Sequence, residues 1–157
     1  MKVKDGIIIL EDGAAVRYVP TKKQGGVLKP VGIVMHYTAG YTTAGDVDTL
    51  AKSDRKASAH LVVGRDGELV QIVPFDRVAW HAGPSKYKDM SSLNNYAIGI
   101  EISNCGWLKK LPNGTYRDEY GNTIDEMGRF RVGNRILKSA PRDWLHQKHP
   151  RLGSAEV

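Results

Sequence analysis

Three histidines and one glutamate are the side chains in this sequence best suited to carry out chemistry. His36, His60 and His81 lie at the edges of predicted β-strands, and His146 and His149 lie near the C-terminus. Neutral imidazole is the commonest zinc ligand, and a catalytic zinc usually takes three protein ligands and a water. The spacing of the first three histidines matches no compact metal motif. A metal site and a set of hydrogen-bonded structural histidines are therefore both open at this point.

The glutamate, Glu101, lies inside the apolar run Ile98–Ile102, which predicts a buried strand. Strand alternation places Gly99, Glu101 and Ser103 on one face. A buried carboxylate is costly unless it is paired or neutralised, so Glu101 must open onto a cleft, meet a cation, or form a structural salt bridge with an arginine. The absence of a side chain at Gly99 leaves room for a ligand or a second backbone.

A third candidate is the segment Trp80-His81-Ala82-Gly83, which places an aromatic ring and an imidazole among small residues in a predicted loop. The flat face of Trp80 could support a sugar ring. Alternatively, burial of Trp80 could simply anchor the loop.

The elements that must position these residues follow from hydrophobic periodicity and turn signals. The apolar run Val31–Met35 predicts a buried strand that ends at His36, and Thr42 or Thr43 is a suitable cap for a helix over 44–56. The remaining predictions are strands at 7–10 and 14–19 around Glu11-Asp12-Gly13, a hairpin of 60–63 with 68–73, a strand at 97–103, and loops at 20–30 and 74–96. This order predicts an α/β (α+β) fold, a mixed and mainly β-sheet with flanking helices.

The C-terminal third is less regular. Pro112-Asn113-Gly114-Thr115 predicts a hairpin turn between strands at 107–111 and 115–120, and 124–157 reads as mostly loop with short strands. The 157 residues favour one domain, 1–157, with 106–157 as a loop-rich insertion.

Composition narrows the class of protein. The net charge of +6 is spread along the chain without a DNA-binding motif, which favours a solvated basic surface over a nucleic-acid groove. A single cysteine, Cys105, excludes an intramolecular disulfide and favours a reducing compartment. The sequence has no apolar run of the ~18 residues that a membrane span needs. Because the N-terminus also lacks a secretory signal, we expect a cytoplasmic protein or, if a phage encodes it, release to the cell wall.

Four sequence blocks, taken together, resemble the type-2 N-acetylmuramoyl-L-alanine amidase family over roughly residues 7–105. That family includes cytoplasmic muropeptide-recycling amidases, phage endolysins and animal peptidoglycan recognition proteins. The blocks are His36-Tyr37-Thr38-Ala39-Gly40, then Ser58-Ala59-His60 with Arg65-Asp66-Gly67, then Ala79-Trp80-His81-Ala82-Gly83, and finally Asn94 followed by Ile98-Gly99-Ile100-Glu101.

The resemblance implies zinc-dependent hydrolysis of the amide between N-acetylmuramic acid and L-alanine in peptidoglycan or soluble muropeptides. It implies that His36 is the first zinc ligand and that Glu101 positions or deprotonates the zinc-bound water. His60 would be structural. The residues implied to line the substrate groove are Tyr37, Trp80, His81 and Asn94.

The sequence departs from the family at its C-terminal end, where the segment carrying the family's second and third zinc ligands is missing. Three explanations are open: an incomplete domain, substitute ligands among Asp143, His146 and His149, or a module that binds peptidoglycan without zinc or catalysis. An incomplete sheet would expose an apolar face and an unpaired edge, so we expect the chain to form a homodimer or to swap elements with a second copy.

Overall fold

A computed structural model describes residues 1–118, 120–124, 130–132 and 135–137. It contains one α-helix in these ranges, α1 (Thr43–Ala51), and a 3-10 turn at Leu93–Asn95. The strands, in chain order, are β1 (Lys2–Lys4), β2 (Ile7–Ile9), β3 (Arg17–Tyr18), β4 (Gln24–Val27), β5 (Gly32–Tyr37), β6 (Leu61–Val63), β7 (Leu69–Gln71), β8 (Arg77–Ala79), β9 (Lys86–Tyr87), β10 (Met90–Ser91), β11 (Ala97–Ile102), β12 (Lys109–Lys110), β13 (Tyr116–Arg117), β14 (Thr123–Ile124), β15 (Phe130–Val132) and β16 (Arg135–Leu137).

The central sheet has the strand order β3-β7-β6-β11-β5. Strand β11 runs parallel to both of its neighbours, β5 and β6, whereas β6 and β7 form an antiparallel pair. The sheet is therefore mixed and carries α1 on one face, which confirms the predicted fold class. Its two longest strands, β5 and β11, carry His36 and Glu101.

Apolar side chains cover the middle of this sheet on both faces. On one face, Val47 and Ala51 of α1 pack against Val62 and Val70. On the other, Ile8, Val16 and Leu61 form a buried cluster against which Ile100 packs. Full burial of each such side chain contributes roughly 1.5–3 kcal/mol, so β6 and β11 form a rigid base for the residues at their ends.

Two local predictions are confirmed with shorter elements. The hairpin of β6 and β7 turns at Arg65-Asp66-Gly67, where Gly67 supplies the positive φ of 86°. Thr42 caps α1, since its side chain accepts a hydrogen bond from the Gly45 N–H at 3.1 Å. The helix ends at Ala51 rather than at Lys56, because the N–H groups of the next two residues both bond to the carbonyl of Asp48.

The predicted strand at 14–19 is mostly absent. The turn at Glu11-Asp12-Gly13 forms, but beyond it the chain makes only a single bridge, Ile9 with Ala15, and then the short β3, which joins β7. Strand β2 instead pairs with β1, which hydrophobic periodicity did not predict.

The loops predicted at 20–30 and 74–96 contain regular structure, so those predictions were wrong in part. Strand β4 from the first pairs with β8 from the second, and β9 and β10 form a small hairpin. Glycines made β4 look like a loop. In the fold Gly25 lies so close to Val78 that a Cβ there would come within 3.1 Å of its side chain.

Strand β5 lies at the edge of the sheet rather than in its interior. Val31, Ile33 and Met35 were predicted to be buried, yet they are 71%, 60% and 48% exposed to solvent. The apolar run correctly indicated a strand, but none of the described elements covers its outer face. The expected homodimer or domain swap stays a prediction.

A second sheet of five antiparallel strands, β12 to β16 in sequence order, follows the central one. Its first hairpin pairs Lys109 with Arg117 and Lys110 with Tyr116, which confirms the turn predicted at 112–115. Within the described ranges no helix has both the length and the apolarity that crossing a lipid bilayer requires.

Candidate functional site

His36 and Glu101 are direct neighbours on the parallel strands β5 and β11. The two residues are register partners, so their side chains leave the same face of the sheet. Gly99 and Ser103, two residues before and after Glu101, flank it on this face as alternation predicted.

A chain of hydrogen bonds fixes the ring of His36. The Nε2 atom of His81 lies 3.1 Å from the Ala97 carbonyl, which can only accept, so this nitrogen carries the proton. The Nδ1 atom of His81 then accepts from Nε2–H of His36 at 3.0 Å. Burial, and secondarily His81, lowers the pKa of His36 to about 4. His36 is therefore neutral at pH 7, and the lone pair on its Nδ1 atom is left for a ligand.

Gly99 and Asn94 hold His81 in place. A Cβ on Gly99 would lie 2.2 Å from Cγ of His81, so the imidazole packs directly on the glycine backbone. The Oδ1 atom of Asn94 accepts from the N–H groups of His81 and Ala82 at 2.9 and 2.8 Å. In this arrangement Asn94 supports the histidine loop. The contact of Asn94 and His81 with substrate stays a prediction.

His60 is a structural residue, as the resemblance implied. It is completely buried, its Nδ1 accepts from the N–H of Gly99 at 2.9 Å, and its Nε2 donates to the carbonyl of Arg77 at 2.8 Å. Burial lowers its pKa to about 4. Both ring nitrogens are therefore occupied, and His60 has no lone pair for a metal.

Glu101 has an unused carboxylate oxygen. Its Oε2 atom is buried and has no hydrogen-bond partner among the described residues. No arginine of that part of the chain forms an ion pair with it, so the structural salt bridge considered from the sequence is not formed there. Burial, and then the charge of Asp46, raises the pKa of Glu101 to about 7. A carboxyl with this pKa can both accept and release a proton near neutral pH.

A buried network around Asp46 was missed by the sequence reasoning. Asp46 of α1 accepts hydrogen bonds from the hydroxyl of Thr38, at 2.9 Å, and from the hydroxyl of Ser103. The loop after His36 presses against it, because a Cβ on Gly40 would collide with Oδ1 of Asp46. The available signal was helical spacing: Asp46 lies one turn before the apolar Leu50, on the inward face of α1.

A cavity of about 490 Å³ opens beside Glu101 and is bordered by Asp46, Thr49 and Leu50 of α1. Tyr37, predicted to contact substrate, is among its lining residues. Trp80, also predicted to contact substrate, does not line this cavity. Its side chain is 38% exposed, and its backbone N–H donates to the hydroxyl of Ser58 at 3.0 Å. The remaining lining residues are Thr38, Ala39, Gly40, Tyr41, Asp46, Thr49, Leu50, Arg55, Ala57, Glu101, Tyr120 and Asn122.

The described residues supply only part of a zinc site. His36 offers a neutral imidazole nitrogen, and Glu101 offers a carboxylate oxygen beside it. No group of three or more His, Cys, Asp or Glu side chains able to hold a metal occurs in the described part of the chain. The substitute ligands considered from the sequence, Asp143, His146 and His149, lie outside the described residues.

Comparison with known proteins matches this chain to amidases. Residues 26–129 match the N-acetylmuramoyl-L-alanine amidase family. A stretch of 47 residues is 53% identical to the 1,6-anhydro-N-acetylmuramyl-L-alanine amidase AmpD of Escherichia coli (strain K12), covering 30% of this chain and 26% of AmpD. Over 84 residues the chain is 34% identical to the N-acetylmuramoyl-L-alanine amidase AmiD of the same strain, covering 49% of this chain and 29% of AmiD.

A solved structure shows the same fold. The crystal structure of a selenomethionine AmpD derivative superimposes with a TM-score of 0.56 and 30% sequence identity over 66% of each chain. The segments that match the AmpD and AmiD sequences span less than a third of those proteins.

Proposed function

This chain belongs to the N-acetylmuramoyl-L-alanine amidase family, and from that premise we propose that it hydrolyses the amide between N-acetylmuramic acid and L-alanine in peptidoglycan or muropeptides. The observation that carries the proposal is the parallel register of His36 and Glu101. Amide hydrolysis needs a group that orients a water and a group that moves its proton, and these two side chains share one face of the sheet.

Glu101 is the proposed proton-transfer residue. With a pKa of about 7, its carboxylate can take a proton from the attacking water and its acid form can deliver that proton to the leaving L-alanine amine. The unpartnered Oε2 atom is the part of this carboxyl that is free to make the contact.

We further propose that the hydrolysis depends on a bound zinc ion. A bound zinc would lower the pKa of a coordinated water to about 7 and polarise the scissile carbonyl. Nδ1 of His36 is the atom through which this chain would hold it, with His81 fixing the imidazole from the other side. Two more ligands are needed, and in the described ranges they are not found. Asp143, His146 and His149 are the candidates that the sequence offers.

We place the substrate along the face that carries Glu101. Trp80 is partly exposed and offers an aromatic surface to a sugar ring. Tyr37 borders the cavity that Glu101 also lines. This assignment covers both intact wall and soluble muropeptides, since both contain the same amide.

A second candidate is a module that binds muropeptide without cleaving it, since among the described residues only His36 is assigned as a zinc ligand. One experiment separates the two. The protein is analysed for bound zinc and then incubated with purified sacculi and with a soluble muropeptide, and released stem peptide with a free L-alanine amine is measured by mass spectrometry. Zinc at stoichiometric amounts with peptide release supports the amidase. Retained muropeptide binding with little zinc and no release supports the binding module.

A further inference from the structure

The substrate has two halves, and the fold offers a separate place for each. Along β11, the Gly99 side of Glu101 leads to His81 and the loop of Trp80. On the other side of Glu101, the hydroxyl of Ser103 donates a hydrogen bond to Asp46, and Asp46 lines the cavity of about 490 Å³. An amide cleaved at Glu101 must extend in both directions, so if Trp80 meets the sugar then the cavity receives the peptide.

The outer wall of this cavity comes from the second sheet. Tyr120 and Asn122 line it, and both belong to the turn that joins β13 to β14. We call residues 118 and 120–122 the Asp118 turn. Its hub is the carboxylate of Asp118, whose Oδ1 accepts from the N–H groups of Tyr120 and Asn122 at 2.9 and 2.8 Å.

Tyr41 fastens this turn to the central sheet. Its hydroxyl donates to Oδ2 of Asp118 and accepts from Nδ2 of Asn122. The ring packs beside Cys105, near the end of β11. Tyr41 lies in the loop that follows His36, so these two hydrogen bonds connect the candidate catalytic face to a turn 77 residues further along the chain.

The protonation states of Tyr41 and Asp118 at neutral pH favour this hydrogen bond. Burial, and then the hydrogen bond to Asp118, raises the pKa of Tyr41, which keeps its phenol a neutral donor. Burial by itself would raise the pKa of Asp118, but hydrogen bonds from Tyr41 and Asn122 more than offset it and lower that pKa. The acceptor is therefore ionised at neutral pH, and a hydrogen bond to an ionised group is among the stronger kinds.

The lining of the cavity also includes a positive charge. Arg55, just after α1, is exposed, and its guanidinium forms no ion pair with the described residues. A stem peptide ends in a carboxylate, so this charge complements the peptide half rather than the sugar half.

We propose that the Asp118 turn is the wall that contacts the peptide half of the substrate and that Tyr41 is the positioning residue that holds this wall in place. The inference deepens the proposed amidase function and rests on it. The wall would make the chain selective for the length of the peptide, because a single alanine is too small to fill the cavity.

The test compares two substrates in Tyr41→Phe, which removes the hydroxyl and keeps the ring. The substrates are N-acetylmuramoyl-L-alanine and N-acetylmuramoyl-L-Ala-D-γ-Glu-L-Lys. We expect KM for the tripeptide substrate to rise about three- to tenfold with kcat unchanged, because the lost contact stabilises the bound substrate and the transition state equally. For the alanine substrate, KM and kcat should both stay within about twofold of the wild-type values. Calorimetry gives the Kd of the tripeptide compound for the Glu101→Gln variant and for the double variant that also carries Tyr41→Phe. The Kd of the double variant should be higher by the same factor.

Tyr18→Phe is the matched control, since β3 lies at the opposite edge of the sheet from β5. Equal losses on both substrates would make Tyr41 a general structural residue and overturn the inference, as would no change on either. If Tyr41→Phe does not fold, Tyr120→Ala tests the wall itself and must weaken only the tripeptide substrate. A wild-type chain that neither cleaves nor binds the two compounds refutes the proposed function and the inference with it.

Discussion

His36 and Glu101 lie 65 positions apart in the sequence, yet they are paired in register on adjacent parallel strands. Neighbouring strands lie about 4.8 Å apart, so an imidazole and a carboxylate that leave the same face can reach one water between them. Strand pairing sets this spacing, and loop conformation has no part in it. The pair is therefore pre-organised before any substrate arrives.

Glu101→Gln should abolish hydrolysis and leave the fold intact. The amide is nearly the same size as the carboxyl and fills the same half-buried site, but it cannot take a proton from water. Loss of a general acid–base residue typically costs 10²–10⁴-fold in rate, to be measured as release of stem peptide. Glu11→Gln, at an exposed position 93% accessible in its side chain, is the matched control. Wild-type turnover by Glu101→Gln would refute the assigned role.

His36→Ala should lose zinc and turnover together, whereas Glu101→Gln should keep its zinc. The reason is that His36 supplies the free imidazole nitrogen of the site, and Glu101 acts on the water. Metal analysis of both variants beside the wild type distinguishes the two roles. Equal zinc content in His36→Ala and the wild type would show that the metal is held elsewhere or that His36 does not bind it.

The pairing of His36 with Glu101 was within reach of the sequence, and the surroundings of the pair were not. Alternation along Ile98–Ile102 correctly put Gly99, Glu101 and Ser103 on one face, because period-2 geometry is local. The apolar run Val31–Met35 predicted a strand that ends at His36, and the family resemblance assigned His36 and Glu101 to the same zinc-bound water. No local rule could show that Asp46 contacts Ser103, since that hydrogen bond depends on how α1 lies across the sheet.

The same limit explains the two regions that sequence reasoning misread. Gly25 and Gly26 made β4 look like a loop, although the partner strand β8 is 50 residues away and only tertiary pairing reveals it. The link from Tyr41 to Asp118 is also non-local, joining two segments that are both rich in turn signals. Residues 106–157 were assigned as an insertion, and nothing in their composition indicated that Tyr120 and Asn122 would border the cavity.

Gly99→Ala should lower the activity of the site without replacing a candidate catalytic group. A Cβ at position 99 would lie 2.2 Å from Cγ of His81 and within 2.6 Å of two further ring atoms, so the imidazole must move. His36 would then lose the acceptor of its Nε2–H, and its ring orientation would no longer be fixed. We expect stem-peptide release to fall about 10- to 100-fold, the range seen when a residue that orients a metal ligand is lost.

Gly26→Ala is the control for that substitution, because a Cβ there meets nothing within 4 Å and its φ is not positive. Both variants add one methyl group to a glycine in a strand. Activity in Gly99→Ala equal to that of Gly26→Ala would show that the position of His81 does not matter for turnover. A ¹H–¹⁵N NMR spectrum of the imidazoles would show directly whether the His81 signals shift in the first variant alone.

Asp46→Ala should destabilise the fold around the cavity. The substitution removes the acceptor of the Ser103 hydroxyl and the nearer of the two acceptors of the Thr38 hydroxyl. A buried polar group without its partner costs about 1–3 kcal/mol in the free energy of unfolding. Asp48→Ala on the same helix is the control. It removes only an exposed i,i+4 ion pair with Lys52, which is worth roughly 0.3–0.5 kcal/mol. Urea denaturation of the two variants and the wild type gives both differences.

The pH dependence of the Asp46→Ala difference has a definite sign. Burial raises the pKa of Asp46, and its hydrogen bonds with Ser103 and Thr38 and the charge of Arg65 offset this only partly. In the unfolded chain the pKa returns to about 3.9, so between these two values the folded state binds more protons. Wild-type stability therefore rises relative to Asp46→Ala as the pH falls through that window, and protonation of the neighbouring Glu101 adds in the same direction because Asp46 raises its pKa. A difference that shrinks on acidification would mean that the folded structure stabilises the Asp46 carboxylate in its ionised form.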